Sequence, residues 1–378
     1  MLRNTFGLIY TSDDQMPLKE LTLQRTVASV PFGGRYRIID FTMSNLVNSG
    51  VISVAVITSK NYSSLMDHLG SGSAYDLNRK SEGLRILPPF ATTENGYYRG
   101  TVDAFRAASD FIQHTSYQYC IFQDCNTVYN CDYTDMLRQH EQTRADITLR
   151  YAVESADNAP ESFQEKSTGL AHFDMDANGR IIDMEIDADQ PRTRNISLGC
   201  FVIDKQLLSY LVDEAFSHGH WDFARDVLLK KFRSLHLFGY EHKGYFARMA
   251  SVDAYYRANM DLLKQEVRQD LFDRNNRIYT KVKDEVPSLY KSSAVSKNCL
   301  LADGCIIEGE IENCILGRGV HVQAGAICRN SILQQGSQIQ EGAQIENVIL
   351  DKDVIIRRGR RLIGPSSYAV VVKKGTVV

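Results

Sequence analysis

Hydrophobic residues follow two different rhythms along this chain. In about the first two thirds, short apolar runs alternate with stretches whose apolar residues recur at helical spacing. Residues 51–58 and 119–124 form continuous apolar runs, which are typical of strands buried on both faces of a parallel sheet. Between these runs, Val102, Phe105 and Ile112 fall on one helical face. The alternation predicts a doubly wound, Rossmann-like α/β domain.

The α/β pattern ends after one further predicted helix. Residues 253–272 place four apolar side chains at helical spacing: Tyr256, Met260, Leu263 and Val267. Polar residues and a proline then break the rhythm. We therefore predict an α/β domain over residues 1–272, a linker over 273–293 and a second domain over 294–378.

The last part of the chain repeats every 17 residues. Three classes of residue keep the same step: Asn313, Asn330 and Asn347; Gly325, Gly342 and Gly359; and Val322, Ile339 and Ile356. Each repeat divides into units of about six residues that carry a glycine and an inward apolar residue. This spacing predicts a left-handed parallel β-helix, whose flat faces and open last coil suit subunit assembly.

Composition excludes some partners. The formal net charge of −3 gives no reason to expect nucleic acid or an anionic membrane. The apolar run near the start is too short for a signal peptide or a membrane span, and the eight cysteines have no framework spacing. We therefore expect a cytoplasmic protein.

Several longer motifs occur across both parts of the chain. They are "LKELTLQR", "VPFGGRYRIIDFTMSNLVNSG", "YYRGTVDA", "YNCDY", "SLGCFVID" and "AYYRANMDL". With the C-terminal repeats, they resemble the bacterial glucose-1-phosphate adenylyltransferase family over almost the whole chain. The resemblance implies a GT-A-like nucleotidyltransferase domain followed by the β-helix, and a tetrameric assembly. It also implies a reaction in which ATP and glucose 1-phosphate yield ADP-glucose and pyrophosphate for glycogen synthesis.

Such a reaction needs donors for phosphates and carboxylates for Mg²⁺, and the resemblance places those elements at residues of other types. The family's glycine-rich phosphate loop falls on residues 12–17, which contain Asp13 and Asp14 and no glycine. A family lysine falls on Val27, and the lysine that binds the sugar phosphate falls on Asp187. Four elements of phosphate and metal handling are therefore altered: the loop, these two lysines and the pair of metal ligands described next.

The two metal-binding aspartates of the family fall on Asn126 and Arg248. An amide is a weak ligand for a hard dication, and a guanidinium cannot bind one. Asp124 lies two residues from the family position, so we expect its side chain to face elsewhere. The chain thus resembles the noncatalytic, GlgD-type subunits of this family, with no metal site and no cofactor of its own.

The resemblance to that subunit type also implies partners and an effector. The expected partner is a catalytic GlgC-type subunit, which uses Mg²⁺, in a heterotetramer; self-association is a further expectation. A sugar-phosphate or nucleotide effector would need cations. Arg35 and Arg37 in "FGGRYR", with Arg357 and Arg358 of the last coil, form the hypothetical anion site.

Three other interpretations stay open. In the first, the chain is an active enzyme whose Mg²⁺ ligands have moved to Asp13, Asp14 or Asp124. In the second, the β-helix belongs to an acyltransferase and His321, the one histidine of the repeats, acts as base. In the third, the chain is a scaffold with no effect on its partner's kinetics.

Overall fold

The structure is a computed structural model and describes residues 4–11, 18–89, 98–154 and 170–378. In these residues the amino-terminal domain contains thirteen strands: β1 Thr5–Thr11, β2 Pro31–Phe32, β3 Tyr36–Arg37, β4 Ser53–Thr58, β5 Gly83–Leu87, β6 Tyr119–Asp124, β7 Thr127–Tyr129, β8 Ile147–Val153, β9 Ala171–Met175, β10 Ile181–Ile186, β11 Asn195–Asp204, β12 Leu237–Glu241 and β13 Phe246–Arg248.

Nine of these strands form one mixed sheet. Its order is β10-β9-β11-β6-β1-β4-β5, and β8 pairs with both β11 and β12. Strands β6, β1, β4 and β5 are parallel, whereas β11 runs antiparallel to β6. The two apolar runs predicted as buried strands become β4 and β6, which confirms that prediction. Hydrophobic clusters cover both faces of the sheet, so the doubly wound α/β architecture is also confirmed.

Nine α-helical segments lie in the described residues of this domain: α1 Ile38–Asn48, α2 Ser63–Leu69, α3 Thr101–Ala107, α4 Ser109–His114, α5 Thr134–Thr143, α6 Lys205–Ser217, α7 Leu229–Lys231, α8 Val252–Asp261 and α9 Gln265–Leu271. Short 3₁₀ turns occupy Lys19–Thr22, Val27–Ser29 and Ser73–Tyr75, and a π-helical turn occupies Phe223–Leu228. None of the helices described is long and apolar enough to cross a membrane.

The predicted helix over residues 253–272 is two helices, α8 and α9. The predicted apolar face is also one residue out of place, because Tyr255 is fully buried while Tyr256 is only half-buried. The reason is that α8 packs on two surfaces. The Tyr255 hydroxyl donates to the carbonyl of Pro31 in its own domain, and the Tyr256 hydroxyl donates to the carbonyl of Asn330 in the β-helix.

The carboxyl-terminal domain is a left-handed β-helix built from five coils. Its strands are β14 Leu289–Tyr290, β15 Val295–Lys297, β16 Leu300–Leu301, β17 Ile306–Ile307, β18 Glu310–Glu312, β19 Ile315–Leu316, β20 His321–Val322, β21 Ile327–Arg329, β22 Ile332–Leu333, β23 Gln338–Ile339, β24 Gln344–Glu346, β25 Val348–Leu350, β26 Ile355–Ile356, β27 Arg361–Ile363 and β28 Val370–Val372. Every third strand pairs in parallel, giving three five-stranded sheets around one apolar interior.

The repeats predicted from sequence have a direct structural role. Asn313, Asn330 and Asn347 adopt left-handed φ values of 51°, 46° and 52°, as expected for a residue that tolerates this conformation at a tight corner. The repeated residues Val322, Ile339 and Ile356 are fully buried inside the coils. The first strand, β14, begins at Leu289, within the segment predicted as a linker.

The two domains share one hydrophobic cluster, which joins Val27, Phe41 and Tyr255 to Ile332 and Ile349 of the β-helix. Two buried polar contacts reinforce this cluster. Arg25 Nη2 pairs with Asp351 Oδ2 at 2.5 Å, and Gln334 Nε2 donates to the Tyr255 hydroxyl at 2.7 Å. The two domains are therefore packed together through both apolar and charged groups.

Candidate functional site: a cavity without a metal set and a cationic cleft

The carboxyl ends of the central strands open into a cavity of about 550 Å³. This edge of an open α/β sheet is where ligands usually bind. The cavity has an aromatic wall formed by Phe105, Phe122, Phe201 and Phe223. Three arginines also line it: Arg99, Arg225 and Arg248. The cavity is therefore large enough for a small molecule and combines apolar walls with several charges.

Asp124 ends β6 and lies in this cavity. Its Oδ1 accepts a hydrogen bond of 3.2 Å from the backbone N–H of Asn126. Its carboxylate packs against Gly199, which has a left-handed φ of +68°; a Cβ there would come within 1.9 Å of Asp124 Oδ2. Our expectation that Asp124 faces elsewhere is wrong, since it lines the same cavity as Asn126 and Arg248.

Asn126 and Arg248 are brought together by a small antiparallel sheet. Strand β13 pairs with β7, so that Arg248 lies opposite Thr127. The backbone N–H of Met249 donates to the carbonyl of Asn126 at 2.7 Å. Burial raises the pKa of Asp124, and the nearby Arg248 guanidinium opposes that rise only in part. A cationic side chain thus lies near this carboxylate.

The donor set of the cavity does not suit Mg²⁺. Among the described residues that line it, Asp124 and Asp222 are the only carboxylates. Asp222 Oδ1 already accepts the backbone N–H of Arg225 at 3.0 Å, and Asp124 lies near Arg248. Mg²⁺ requires oxygen ligands in octahedral geometry, and a guanidinium offers only hydrogen-bond donors. A metal cation beside Asp124 would also be repelled by the positive charge of Arg248.

Asp187 neutralises one of the arginines of the cavity. It adopts a left-handed φ of +53°, and its Oδ1 accepts the backbone N–H of Leu170 at 2.9 Å. Its Oδ2 forms an ion pair with Arg225. Arg99 is likewise held by Asp103, at 3.1 Å. Two of the three cavity arginines therefore have local carboxylate partners.

Val27, another of the altered positions, is absent from the lining of this cavity. Val27 is 1% exposed and belongs to the hydrophobic cluster between the domains. A lysine could not be buried there without a partner for its charge. Asp13 and Asp14 lie outside the described residues. His321, on the β-helix, pairs with Glu308 at 3.0 Å.

Relatives of known sequence match both domains. The family model for nucleotidyl transferases matches residues 17–265, and that for the GlmU-like C-terminal hexapeptide matches residues 286–367. The glucose-1-phosphate adenylyltransferase of Geobacillus stearothermophilus is 31% identical over 333 residues, covering 87% of this chain and 84% of that protein. The chain belongs to the glucose-1-phosphate adenylyltransferase family. The glycogen biosynthesis protein GlgD of Bacillus subtilis (strain 168) is 34% identical over 376 residues, covering 98% of this chain and 96% of GlgD.

A second site of this adenylyltransferase-family chain lies between its two domains. Six cationic side chains line one small cleft there: Arg35, Arg37, Lys281, Lys283, Arg318 and Lys352. Asp67 is the only carboxylate among the described lining residues, and it pairs with Lys281 at 3.1 Å. An excess of positive charge at one concave surface is typical of an anion site.

The structure places the four predicted anion-site residues in two different regions. Arg35 and Arg37 line the cleft. Arg357 and Arg358 are exposed on the turn after β26 and are absent from the cleft lining, and Arg358 pairs with Glu341 at 3.1 Å. The prediction that these four arginines form one site therefore does not match the structure. The sequence offered no local signal for the lysines of the cleft, which come from the linker and the last coils.

The cations in the cleft affect one another's protonation. The pKa of Lys352 is lowered to about 7, chiefly by burial and also by the charges of Arg37 and Arg25. Burial likewise lowers the pKa of Arg318, with Arg35 as the next cause. The Nε atom of Arg318 is buried and has no hydrogen-bond partner in the described residues. A bound anion would relieve both the repulsion and the missing hydrogen bond.

Proposed function

We propose that this chain is a noncatalytic, regulatory subunit. It assembles with a catalytic GlgC-type subunit in a heterotetramer that makes ADP-glucose from ATP and glucose 1-phosphate for glycogen synthesis. The observation that carries the proposal is that Arg248 and the neutral Asn126 line the same cavity as Asp124, where the family has metal-binding carboxylates. Mg²⁺ belongs to the catalytic partner in this proposal.

The chemistry of nucleotidyl transfer supports a noncatalytic role. Attack on the α-phosphate of ATP concentrates negative charge, which enzymes of this type stabilise with metal ions and positioned cations. Without metal-binding carboxylates, the transition state loses an electrostatic stabilisation of several kcal/mol. Arg225 cannot replace it freely, because Asp187 already neutralises its charge.

Sequence similarity supports a role for this chain in glycogen synthesis. GlgD of Bacillus subtilis, which is similar over nearly all of this chain, is a glycogen biosynthesis protein, and other similar proteins are glucose-1-phosphate adenylyltransferases. The β-helix gives flat parallel sheets on which a second subunit could pack. We propose a cytoplasmic location, since the substrates of the partner are soluble metabolites.

The decisive experiment compares three initial rates of ADP-glucose formation, with ATP, glucose 1-phosphate and Mg²⁺ present throughout. The samples are this chain alone, the catalytic subunit of the same organism alone, and an equimolar mixture. We expect no turnover from this chain alone and an altered rate or substrate affinity in the mixture. Light scattering on the same samples reports whether a mixed tetramer forms or each chain associates only with itself.

The other outcomes identify the alternatives. Turnover by this chain alone, lost in Asp124→Asn, would refute the proposal and establish a relocated metal site. A mixed tetramer with unchanged kinetics would make the chain a scaffold. Failure to form any mixed species would refute the assembly.

We further propose that the interdomain cleft binds a phosphorylated effector, either a sugar phosphate or a nucleotide. The six cations around a single carboxylate support this role. Titration calorimetry with inorganic phosphate, a sugar bisphosphate and ADP would rank the ligands. Arg35→Gln should weaken binding at least about tenfold, since one charge-assisted hydrogen bond is removed. Arg358→Gln is the matched control outside the cleft, and equal losses in both variants would contradict the assignment.

A further inference from the structure

Three cysteines lie close together in the first coils of the β-helix. They are Cys299, Cys314 and Cys328, and none of them is in a disulfide. Strand β16 pairs in register with β19, with Leu300 opposite Ile315, so Cys299 and Cys314 occupy neighbouring rungs of one corner. Neighbouring strands lie about 4.7–4.9 Å apart. Disulfides join Cα atoms about 4.4–6.8 Å apart, so the backbone spacing permits a bond between these two sulfurs.

Hydrogen bonds link the two cysteines directly. The backbone N–H of Cys314 donates to the Sγ of Cys299 at 3.4 Å. The thiol of Cys314 donates to the carbonyl of Glu312 at 3.2 Å, and that of Cys299 to the carbonyl of Lys297 at 3.2 Å. Donors that point at a sulfur stabilise its thiolate form. The pKa of Cys299 is accordingly lowered: the neighbouring Cys314 side chain is the largest cause, burial opposes the shift, and the backbone N–H of Cys314 adds to it.

Access distinguishes Cys299 from the other cysteines. Strands β14, β15 and β16 are terminal strands of the three sheets, so within the described residues no further coil stacks on the rung that holds Cys299. Cys299 is half-buried, whereas Cys314 and Cys328 are fully buried. Cys131 is the other half-buried cysteine, and burial raises its pKa to about 11. All eight cysteines lie in the described residues, and Cys299 alone combines access with a stabilised thiolate.

We propose that Cys299 and Cys314 form a peroxide-sensitive dithiol, in which Cys299 reacts first and Cys314 closes an intramolecular disulfide. The Cys299 thiolate attacks one peroxide oxygen, the O–O bond breaks, and the departing hydroxide takes a proton to become water. The resulting sulfenic acid is attacked by the Cys314 sulfur; the S–S bond forms, the S–O bond breaks, and the second water carries the Cys314 proton. Two thiols and one hydrogen peroxide thus give one disulfide and two waters. The proposal is independent of whether the chain is catalytic.

The β-helix itself supplies a matched substitution. Ser331 occupies the same corner in the next coil, where its hydroxyl donates to the carbonyl of Arg329 at 2.6 Å and accepts the backbone N–H of Val348 at 3.2 Å. These are the same two kinds of contact that the Cys299 sulfur makes. Serine should therefore preserve the fold at Cys299 and remove only the sulfur chemistry.

The first test measures reactivity in the full chain. The reduced protein receives a brief, limiting pulse of iodoacetamide at pH 7, followed by peptide mass spectrometry. We expect Cys299 to be alkylated at least about tenfold faster than Cys131, because reaction follows thiolate fraction and access. Faster labelling of any other cysteine would overturn the assignment of Cys299 as the reactive thiol.

The second test identifies the product. After treatment with a few equivalents of hydrogen peroxide, we expect a peptide that links Cys299 to Cys314, and the same product in the control Cys131→Ser. Cys299→Ser should form no such link. Cys314→Ser should accumulate a sulfenic acid on Cys299, trapped with dimedone. Oxidation of the wild-type chain to a different disulfide, or overoxidation of Cys299 without a disulfide, would overturn the proposal. The disulfide found in the oxidised wild-type chain tests the proposal even if one of the variants folds poorly.

Discussion

We predict that anion binding in the interdomain cleft weakens as the pH rises through neutrality, because Lys352 loses its proton in that range. Burial is the main cause of its lowered pKa, which is about 7. The charges around it come from several elements: Arg37 on β3, Arg25 near the first 3₁₀ turns, Lys283 on the linker and the adjacent Asp351, which alone opposes the shift. Lys352 is therefore mostly charged at pH 6 and mostly neutral at pH 8.

The size of the effect follows from the protonated fraction. With a pKa of about 7, that fraction falls from about 90% at pH 6 to about 10% at pH 8. If binding requires the charged amine, the dissociation constant for sulfate rises about tenfold over this range. Sulfate is a suitable probe because its own charge stays constant. Lys352→Arg should bind sulfate with almost no pH dependence, and Lys352→Gln should bind weakly at both pH values.

Titration calorimetry at fixed ionic strength measures this dependence without changes in screening. A flat wild-type profile would refute the reasoning. A tenfold slope that persists in Lys352→Arg would also refute it. Without an anion, the folded state should gain stability as the pH rises from about 7 towards 10, since the unfolded chain keeps the Lys352 proton there.

Two further predictions concern buried charges. Arg25→Ala should lower the free energy of unfolding by about 3–5 kcal/mol in urea titrations, because it leaves the buried Asp351 carboxylate without its partner. The double variant Arg25→Met, Asp351→Leu should recover most of the loss, and no recovery would contradict this cause. Gly199→Ala should cost about 1–3 kcal/mol, because its φ is +68° and its Cβ would clash with Asp124. Adding Asp124→Ala should relieve the clash and leave only the backbone cost; strictly additive losses would contradict the contact.

The repeating half of the fold could be predicted because each coil meets the same physical demand. Asparagine takes the left-handed corner, as at Asn330, and an apolar residue such as Ile339 fills the interior. The helix over residues 253–272 was harder to predict. Its two apolar faces contact different domains through Tyr255 and Tyr256, so a one-faced helical pattern could not locate its break or its buried side.

The sequence predicted the residue types at the site but not how those residues are arranged in space. Alignment of motifs identified Asn126 and Arg248, but their proximity depends on the pairing of β7 with β13, which the sequence does not show. The direction of Asp124 depends on Gly199, where a register shift in β11 allows the carboxylate to approach the backbone. Whether that carboxylate faces the cavity is therefore a property of three-dimensional pairing.

The distribution of charge separates the two sites. In the cavity, Arg225 is neutralised by Asp187 and Arg99 by Asp103, so little free positive charge remains for a triphosphate. In the interdomain cleft, six cations share one carboxylate. Repulsion among like charges in a partly buried site costs free energy, and an anion that binds there removes that cost. Because the cleft includes side chains from both domains and from their linker, an anion bound there would stabilise their packed arrangement. A regulatory subunit could transmit such a change to a neighbour through the same contacts, whereas a cavity in which two of three arginines are already paired has a weaker response to a phosphate.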